Sequence, residues 1–429
     1  MHQGTLIHGL LAAAVLAAAA CGEDVEPEPE VIELPCVGNI NVPDGYCAIL
    51  FHNGVGAARE LVVAENGDVF VAVRDRSGRP GGVVALRDTD DDHQAETRET
   101  WGTAGGSGIA LGDGFLYLAT DRTVLRYPLP AGSLEPSGSP VTIVKDLPNS
   151  RNHARKSIEL HPDGSIFVGI GSPSNACQVR PRTREEPGHD PCPELETRAG
   201  IWRFDGDEED QTLSDGELYS TGLRNVNALA IHPQTDDLYA VVHGRDQLHE
   251  LWPLTYTAEE GSEKPSEEFV HVEEDSDFGW PYCYHDPESD KKVLAPEYGG
   301  NGDVVGRCAQ MDLPEIGFPA HWAPNALAFS NESFNSSRGD YREGAFVAFH
   351  GSWNRSQVQD GYNVVWIPFA GDSPTGEWEV FAEGFAGGRI SRSSEASNRP
   401  TGVAVGPDGS LYVSDSLRGR IWKIVAKPE

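Results

Sequence analysis

The stretch Ser157-Ile-Glu-Leu-His-Pro-Asp-Gly-Ser-Ile-Phe-Val-Gly-Ile170 decides how the chain is to be read. A short apolar run alternates into a turn of His-Pro-Asp-Gly chemistry and emerges as a second apolar run, the pattern of two antiparallel strands joined tightly. The same unit recurs at Glu60–Val73, Gly108–Ala119, Ala228–Val241 and Gly402–Ser414, and more loosely at Ala326–Phe329 with Gly344–Phe349. Most copies run on into a third strand: Val83–Leu86, Val124–Tyr127, Gly200–Phe204, Val364–Ile367 and Arg420–Ile424. Six copies at blade-sized intervals predict an all-β fold, a six-bladed β-propeller with long loop insertions, in preference to a β-sandwich. In such a fold, loops of all blades converge on one end of a central channel. The longest insertions are expected at 171–199, 255–325 and 330–343.

Outside the repeats, Leu6 to Ala20 form an alanine-rich apolar run with no charge, ending at Cys21-Gly22. The run is short for a membrane span and fits an export signal; small residues before Cys21 predict lipidation there, the alternative being a plain secretory signal. Glu23 to Glu30 are acidic and proline-punctuated, which makes residues 22–35 a solvated tether. The expected organisation is therefore a lipoprotein signal over 1–21, a tether over 22–35 and the propeller over 36–429. The expected location is the bacterial cell envelope, with the lipid as the sole membrane contact. The six remaining cysteines fall into local pairs, Cys36 with Cys47, Cys177 with Cys192 and Cys283 with Cys308, which predicts three disulfides; no pair has the two-residue spacing of a zinc knuckle.

Sixty-seven acidic against thirty-three basic residues give a formal charge of −34, which disfavours nucleic acid and favours a neutral small substrate. Against that background a few cationic and polar residues stand at strand mouths. His153 precedes the third unit, where an imidazole titrating near neutrality suits a general base; the competing reading is an ordinary loop histidine among the fourteen. Gly222-Leu-Arg-Asn225 opens the fourth unit, which returns through His243-Gly-Arg-Asp246. A separate segment spaces Asp88, Asp90 and Asp92 as in a calcium loop with Glu99 at the twelfth position, although His93 stands where the turn wants glycine and a solvated acidic loop is the alternative.

These landmarks resemble the pyrroloquinoline-quinone-dependent sugar dehydrogenases: soluble glucose, sorbosone and pyranose dehydrogenase propellers. The resemblance runs from residue 58 to 424 through Gly82–Asp88, His153, Gly222–Asn225, Phe278–Cys283, His350-Gly-Ser-Trp-Asn-Arg355 and Asn398–Val405. It implies oxidation of a sugar, with His153 as base, Arg224 and Asn225 against the quinone, and Arg399 on one of its carboxylates. It also implies calcium on the backbone carbonyls of Gly244 and Arg245, and an external electron acceptor. The sequence departs from the glucose dehydrogenase pattern at Gly106, where glutamine is expected, at Ser157, where an arginine follows the histidine, and at Asn354, close to an expected lysine; Arg355 is expected to supply that cation. The alternatives are a calcium-dependent lactonase-type propeller, which needs converging carboxylates, and a propeller that only binds a partner.

Overall fold

The computed structural model describes residues 1–2, 34–331, 333–334 and 341–428. The expected signal, Cys21 and nearly all of the acidic tether lie outside the described residues. From Pro35 onward the chain is one compact unit, and no helix among the described residues is long and apolar enough to cross a membrane.

The unit is a six-bladed propeller. Blade 1 comprises Ala58–Val63, Val69–Val73, Gly82–Arg87 and Thr97–Trp101, and blade 2 Gly106–Gly112, Phe115–Thr120, Val124–Pro128 and Val141–Val144. Blade 3 runs Ile158–Leu160, Ser165–Ile170, Gly200–Asp205 and Glu217–Thr221; blade 4 runs Val226–Ile231, Leu238–Val242, Glu267–Val272 and Ile316–Phe318. Blade 5 holds Pro324–Phe329, Gly344–Phe349, Val364–Ala370 and Glu379–Ala382. Each blade is an antiparallel meander whose first strand lines the channel, and the first strand of blade 6 contacts those of blades 5 and 1.

Blade 6 supplies only Pro400–Val405, Leu411–Asp415 and Ile421–Ala426 from the C-terminal repeat, and its outer strand is Tyr46–His52. Tyr46 pairs with Ala426 and Leu50 with Trp422, so the two ends of the domain close the ring. Repeat reading passes over this strand because its partner is distant in sequence. A second difference lies within 255–325: Glu267–Val272 and Ile316–Phe318 are the third and fourth strands of blade 4, and Cys283–Asp286 pairs with Lys291–Leu294 as a separate hairpin. Insertions on both sides of these strands hide them from the repeat pattern.

Both faces of a blade are covered by neighbours, so the middle strands are apolar on both sides. In Val69–Val73, Val69, Val71 and Val73 pack into the seam with blade 6, while Phe70 and Ala72 pack into the seam with blade 2. The core is thus divided into six seams. The seam between blades 5 and 6 is the most aromatic, with Phe346, Trp366, Phe381 and Trp422. All three disulfides form, with Cα–Cα separations of 5.4, 6.2 and 5.8 Å. Cys36–Cys47 ties the entering chain to the closing strand, and the other two pin the insertions of blades 3 and 4.

The acidic segment of blade 1 brings Asp88, Asp90, Asp92 and Glu96 within 4.8 Å of one another. Glu99 is not among them: it lies on the outer strand, opposite Ala85. His93 takes the left-handed conformation, φ 69°, that glycine adopts without strain.

Candidate functional site

The chain enters every first strand at the same end of the channel, and the loops joining second to third strands gather there too. Residues at those entrances and loops enclose a cavity of about 440 Å³. Blade 3 contributes His153 and Arg155, blade 4 Arg224, Asn225, Asn227, His243, Asp246 and Glu267, blade 5 Asn325, His350 and Asn354, blade 6 Arg399 and blade 1 Arg74. His153, Arg224, Asn225 and Arg399, far apart in sequence, share this one cavity.

His153 sits in the left-handed region, φ 48°, with Nδ1 2.8 Å from the carbonyl oxygen of Ser172. A carbonyl only accepts, so Nδ1 carries the hydrogen and Nε2 keeps its lone pair. Burial, reinforced by the Arg224 guanidinium, pushes the imidazole down to about 3, and the ring is neutral through the physiological range. Gly171 makes the close approach possible: a Cβ there would stand 2.6 Å from His153 Cβ and 2.7 Å from Asn225 Oδ1. His243 is held down to about 4 by burial and Arg224, and burial and Arg399 take His350 well below its ordinary value.

Arg224 spends its donors on the protein. Nη1 donates to the Gly244 carbonyl at 2.8 Å, Nη2 to Asp246 Oδ2 at 2.8 Å and Asn175 Oδ1 at 3.0 Å, and Nε to Asn175 O at 3.2 Å. It presents its charge and planar face to the cavity more than its N–H groups. Asn225 Oδ1 and Asn227 Oδ1 are buried acceptors without a hydrogen-bond partner among the described residues. Arg399 donates Nε to His350 O at 2.9 Å and Nη2 to Gly351 O at 2.6 Å, and lies over the Tyr362 ring. Nη1 is left without a protein partner among the described residues.

Arg155 and Arg74 also line the cavity, although sequence reasoning did not select them. The Arg155 side chain makes no hydrogen bond or ion pair among the described residues, and burial beside Arg74 lowers it to about 10, still charged at neutral pH. The missed signal was positional: the residues at the mouths of the first strands, Arg59, Arg155, Asn225, Asn325 and Arg399, are polar in otherwise apolar repeats. The cavity's two acids do little to offset six arginines. Burial drives Glu267 up to about 8. Burial alone would raise Asp246 too, but the charges of Arg224, His321 and Arg182 outweigh it and hold this carboxylate ionised.

Other expected residues fall elsewhere. Arg355 turns away from the cavity, donating Nη1 to Ser262 O at 2.9 Å and Ala320 O at 3.1 Å and pairing with Glu263, so it does not supply the expected cation. Asn354 lines the cavity, and donates to Asp246 Oδ1 at 3.1 Å. Ser157 and Gly106 line no part of it. Ser157 Oγ bonds Val226 O, and a Cβ on Gly106 would lie 2.5 Å from Leu118 Cδ1. The arginine expected at Ser157 stands two residues earlier, as Arg155. The Gly244 carbonyl is engaged by Arg224, and Arg245 faces a different pocket with its guanidinium on Glu297. Asp246 Oδ2 is shared by Arg182 and Arg224. As arranged, the Gly244 carbonyl and Asp246 Oδ2 are taken by cationic partners, which a calcium ion drawing on several oxygens there would have to displace.

Fold and cavity define a six-bladed propeller with a cationic, histidine-bearing pocket at one channel mouth. The family model described as TrAA12-like matches residues 40–427, and the chain belongs to that family. Similar solved structures include the holo form of the pyranose dehydrogenase PQQ domain from Coprinopsis cinerea, with TM-score 0.71 at 18% identity over 90% of this chain and 96% of that one. The calcium structure of a Trichoderma reesei AA12 enzyme gives TM-score 0.72 at 18% identity, over 92% and 98% of the two chains. In sequence, the chain is 26% identical over 272 residues to the Coprinopsis cinerea pyrroloquinoline quinone-dependent pyranose dehydrogenase, covering 53% of this chain and 34% of that protein. The chain spans less than half the length of the curated relatives it matches.

Proposed function

We propose that this protein is a pyrroloquinoline-quinone-dependent sugar dehydrogenase. One observation carries the reading: a neutral, oriented imidazole and a set of incompletely neutralised arginines meet in one cavity of a highly acidic chain. The quinone is a tricarboxylate, and the donor set suits it. Arg155, unpartnered among the described residues, and Arg399, whose Nη1 has no partner among them, would hold carboxylates. Asn225 and Asn227 bring buried oxygens that lack a donor.

When bound, the quinone supplies a two-electron acceptor for hydride. The protein's own work is with the proton. His153 Nε2 takes it from the sugar hydroxyl as the carbon–hydrogen bond breaks and the carbonyl forms. The Ser172 carbonyl keeps the imidazole in the tautomer that can do so. Arg224, braced by Asp246 and Asn175, keeps the imidazole basic site unprotonated before substrate arrives, and the cationic wall steadies negative charge developing on the acceptor.

The hydrolase alternative finds no support in the cavity: among the described residues the one carboxylate grouping with metal-ligand spacing is the Asp88–Glu96 loop, outside it. The test is reconstitution. Protein mixed with the quinone, with and without calcium, should show a bound-cofactor absorbance and reduce an artificial dye on addition of aldoses or pyranoses. Quinone binding without turnover on any sugar would favour the binding-module reading; no quinone binding would overturn the proposal.

A further inference from the structure

Arg74 lines two cavities. The second, of about 320 Å³, lies at the seam of blades 6 and 1 on the same end of the propeller, and is walled by Arg74, Arg76, Arg79, Arg98 and Arg418 with Leu417 at its edge. Its size falls within the range of small-molecule pockets, about 300–1,000 Å³. The arginines come from three places: the loop joining the second and third strands of blade 1, the outer strand of that blade, and the 415–420 turn of blade 6.

In a chain with two acids for every base, four of these five arginines, all but Arg74, have no acidic partner among the described residues. Arg74 pairs with Asp121 at 2.9 Å. Arg76 donates to Ser416 O at 2.7 Å, Arg98 to Gly54 O at 3.2 Å and Arg418 to Ser397 O at 2.7 Å. Arg79 makes no side-chain bond among the described residues, though its backbone pairs with that of Arg76 in a tight turn. The nearest acid on the turn, Asp75, is spent on the Gly81 N–H at 2.6 Å and does not line the pocket. Among the described residues Arg76, Arg98 and Arg418 thus have backbone carbonyls as their acceptors and Arg79 has none, and all four line one concavity. Carbonyl dipoles hold the arginines in place but cancel none of their charge, and the pocket remains a site for an anion.

Concavity favours a small anionic group over a flat protein surface, and Arg74 lines both this pocket and the cavity of the proposed sugar site. We propose that it is an anion subsite for an acidic saccharide, one bearing a carboxylate on a sugar ring, whose reducing end reaches the channel mouth. The substrate class rests on the dehydrogenase reading given above.

The experiment is calorimetric titration of the full chain with digalacturonate, with a neutral disaccharide of the same length and with sodium sulfate. Digalacturonate is expected to bind about tenfold or more tighter than the neutral sugar, with affinity falling as salt rises. Arg79→Ala with Arg418→Ala, both exposed positions outside the channel mouth, should weaken digalacturonate by about tenfold or more and leave the neutral sugar unchanged. Equal affinity of wild type and double variant for digalacturonate overturns the subsite. Sulfate binding as tightly as digalacturonate overturns its assignment to a saccharide. Binding needs no turnover, so a chain that oxidises no sugar yet holds digalacturonate through these arginines would lose the dehydrogenase reading and keep the subsite.

Discussion

The pH profile of sugar oxidation tests the proposed base most directly. An imidazole at the ordinary value of 6.5 would be about 3% neutral at pH 5 and about 90% neutral at pH 7.5, and a rate that depends on it would fall about thirtyfold over that interval. His153 is placed otherwise: burial first and Arg224 second bring it down to about 3. At pH 5 about 99% of it would still be neutral. The sign follows from the role, since only neutral imidazole accepts a proton: activity is lost as pH falls through the folded value and is level above it. With quinone-loaded protein and a dye whose reduction is insensitive to pH, kcat/KM should therefore change less than about twofold between pH 5 and pH 7.5. An acid limb with a midpoint between about 6 and 7 that disappears in His153→Gln would refute the buried, neutral imidazole. A limb that persists in that variant belongs to another group.

His153→Gln itself should fold and bind quinone while turnover drops about a hundredfold to ten-thousandfold, and wild-type turnover in the variant would remove the residue from the mechanism. Arg155→Ala should weaken quinone affinity about tenfold or more, read by absorbance titration, and excess quinone should partly restore the rate. Glu159, in the opposite mouth of the channel, is raised to about 8 by burial. Its contribution to stability is present at acid pH and lost as pH rises through that value, so the Tm advantage of Glu159→Gln over wild type should grow from about pH 5 to about pH 9, and a constant difference would show that the group is not buried as described. Replacing Cys36 and Cys47 by serine should cost about 2–4 kcal/mol in denaturant unfolding, because the closing strand loses its tie; an unchanged midpoint would show that strand pairing alone secures the ring.

The repeat was legible because each blade is built locally. Tight turns and alternating strands lie within a dozen residues of one another, and both the blade count and the three disulfide pairs follow from nearest-neighbour pattern. His153, Arg224 and Asn225 were legible as polar residues at strand mouths, and Arg399 through the family resemblance. Arg155 was not selected, although it stands two residues from His153, because one more arginine in a loop carries no mark until the cavity shows that it has no partner among the described residues. Arg355 shows the converse. Adjacent to Asn354 in sequence, it projects the other way and spends its charge on Glu263.

What the sequence by itself determined is the repeating unit, its number and the polar residues at its entrances, all consequences of strand period and turn chemistry. Only the tertiary structure decided three further matters. It closed the ring by pairing Tyr46–His52 with Ile421–Ala426, a contact whose partners lie at opposite ends of the domain. It set the charge state of the site, because desolvation and the Arg224 field arise only when six blades exclude water from one point. It also separated partnered arginines from unpartnered ones, since a guanidinium's neighbours are fixed by which loops the ring brings together.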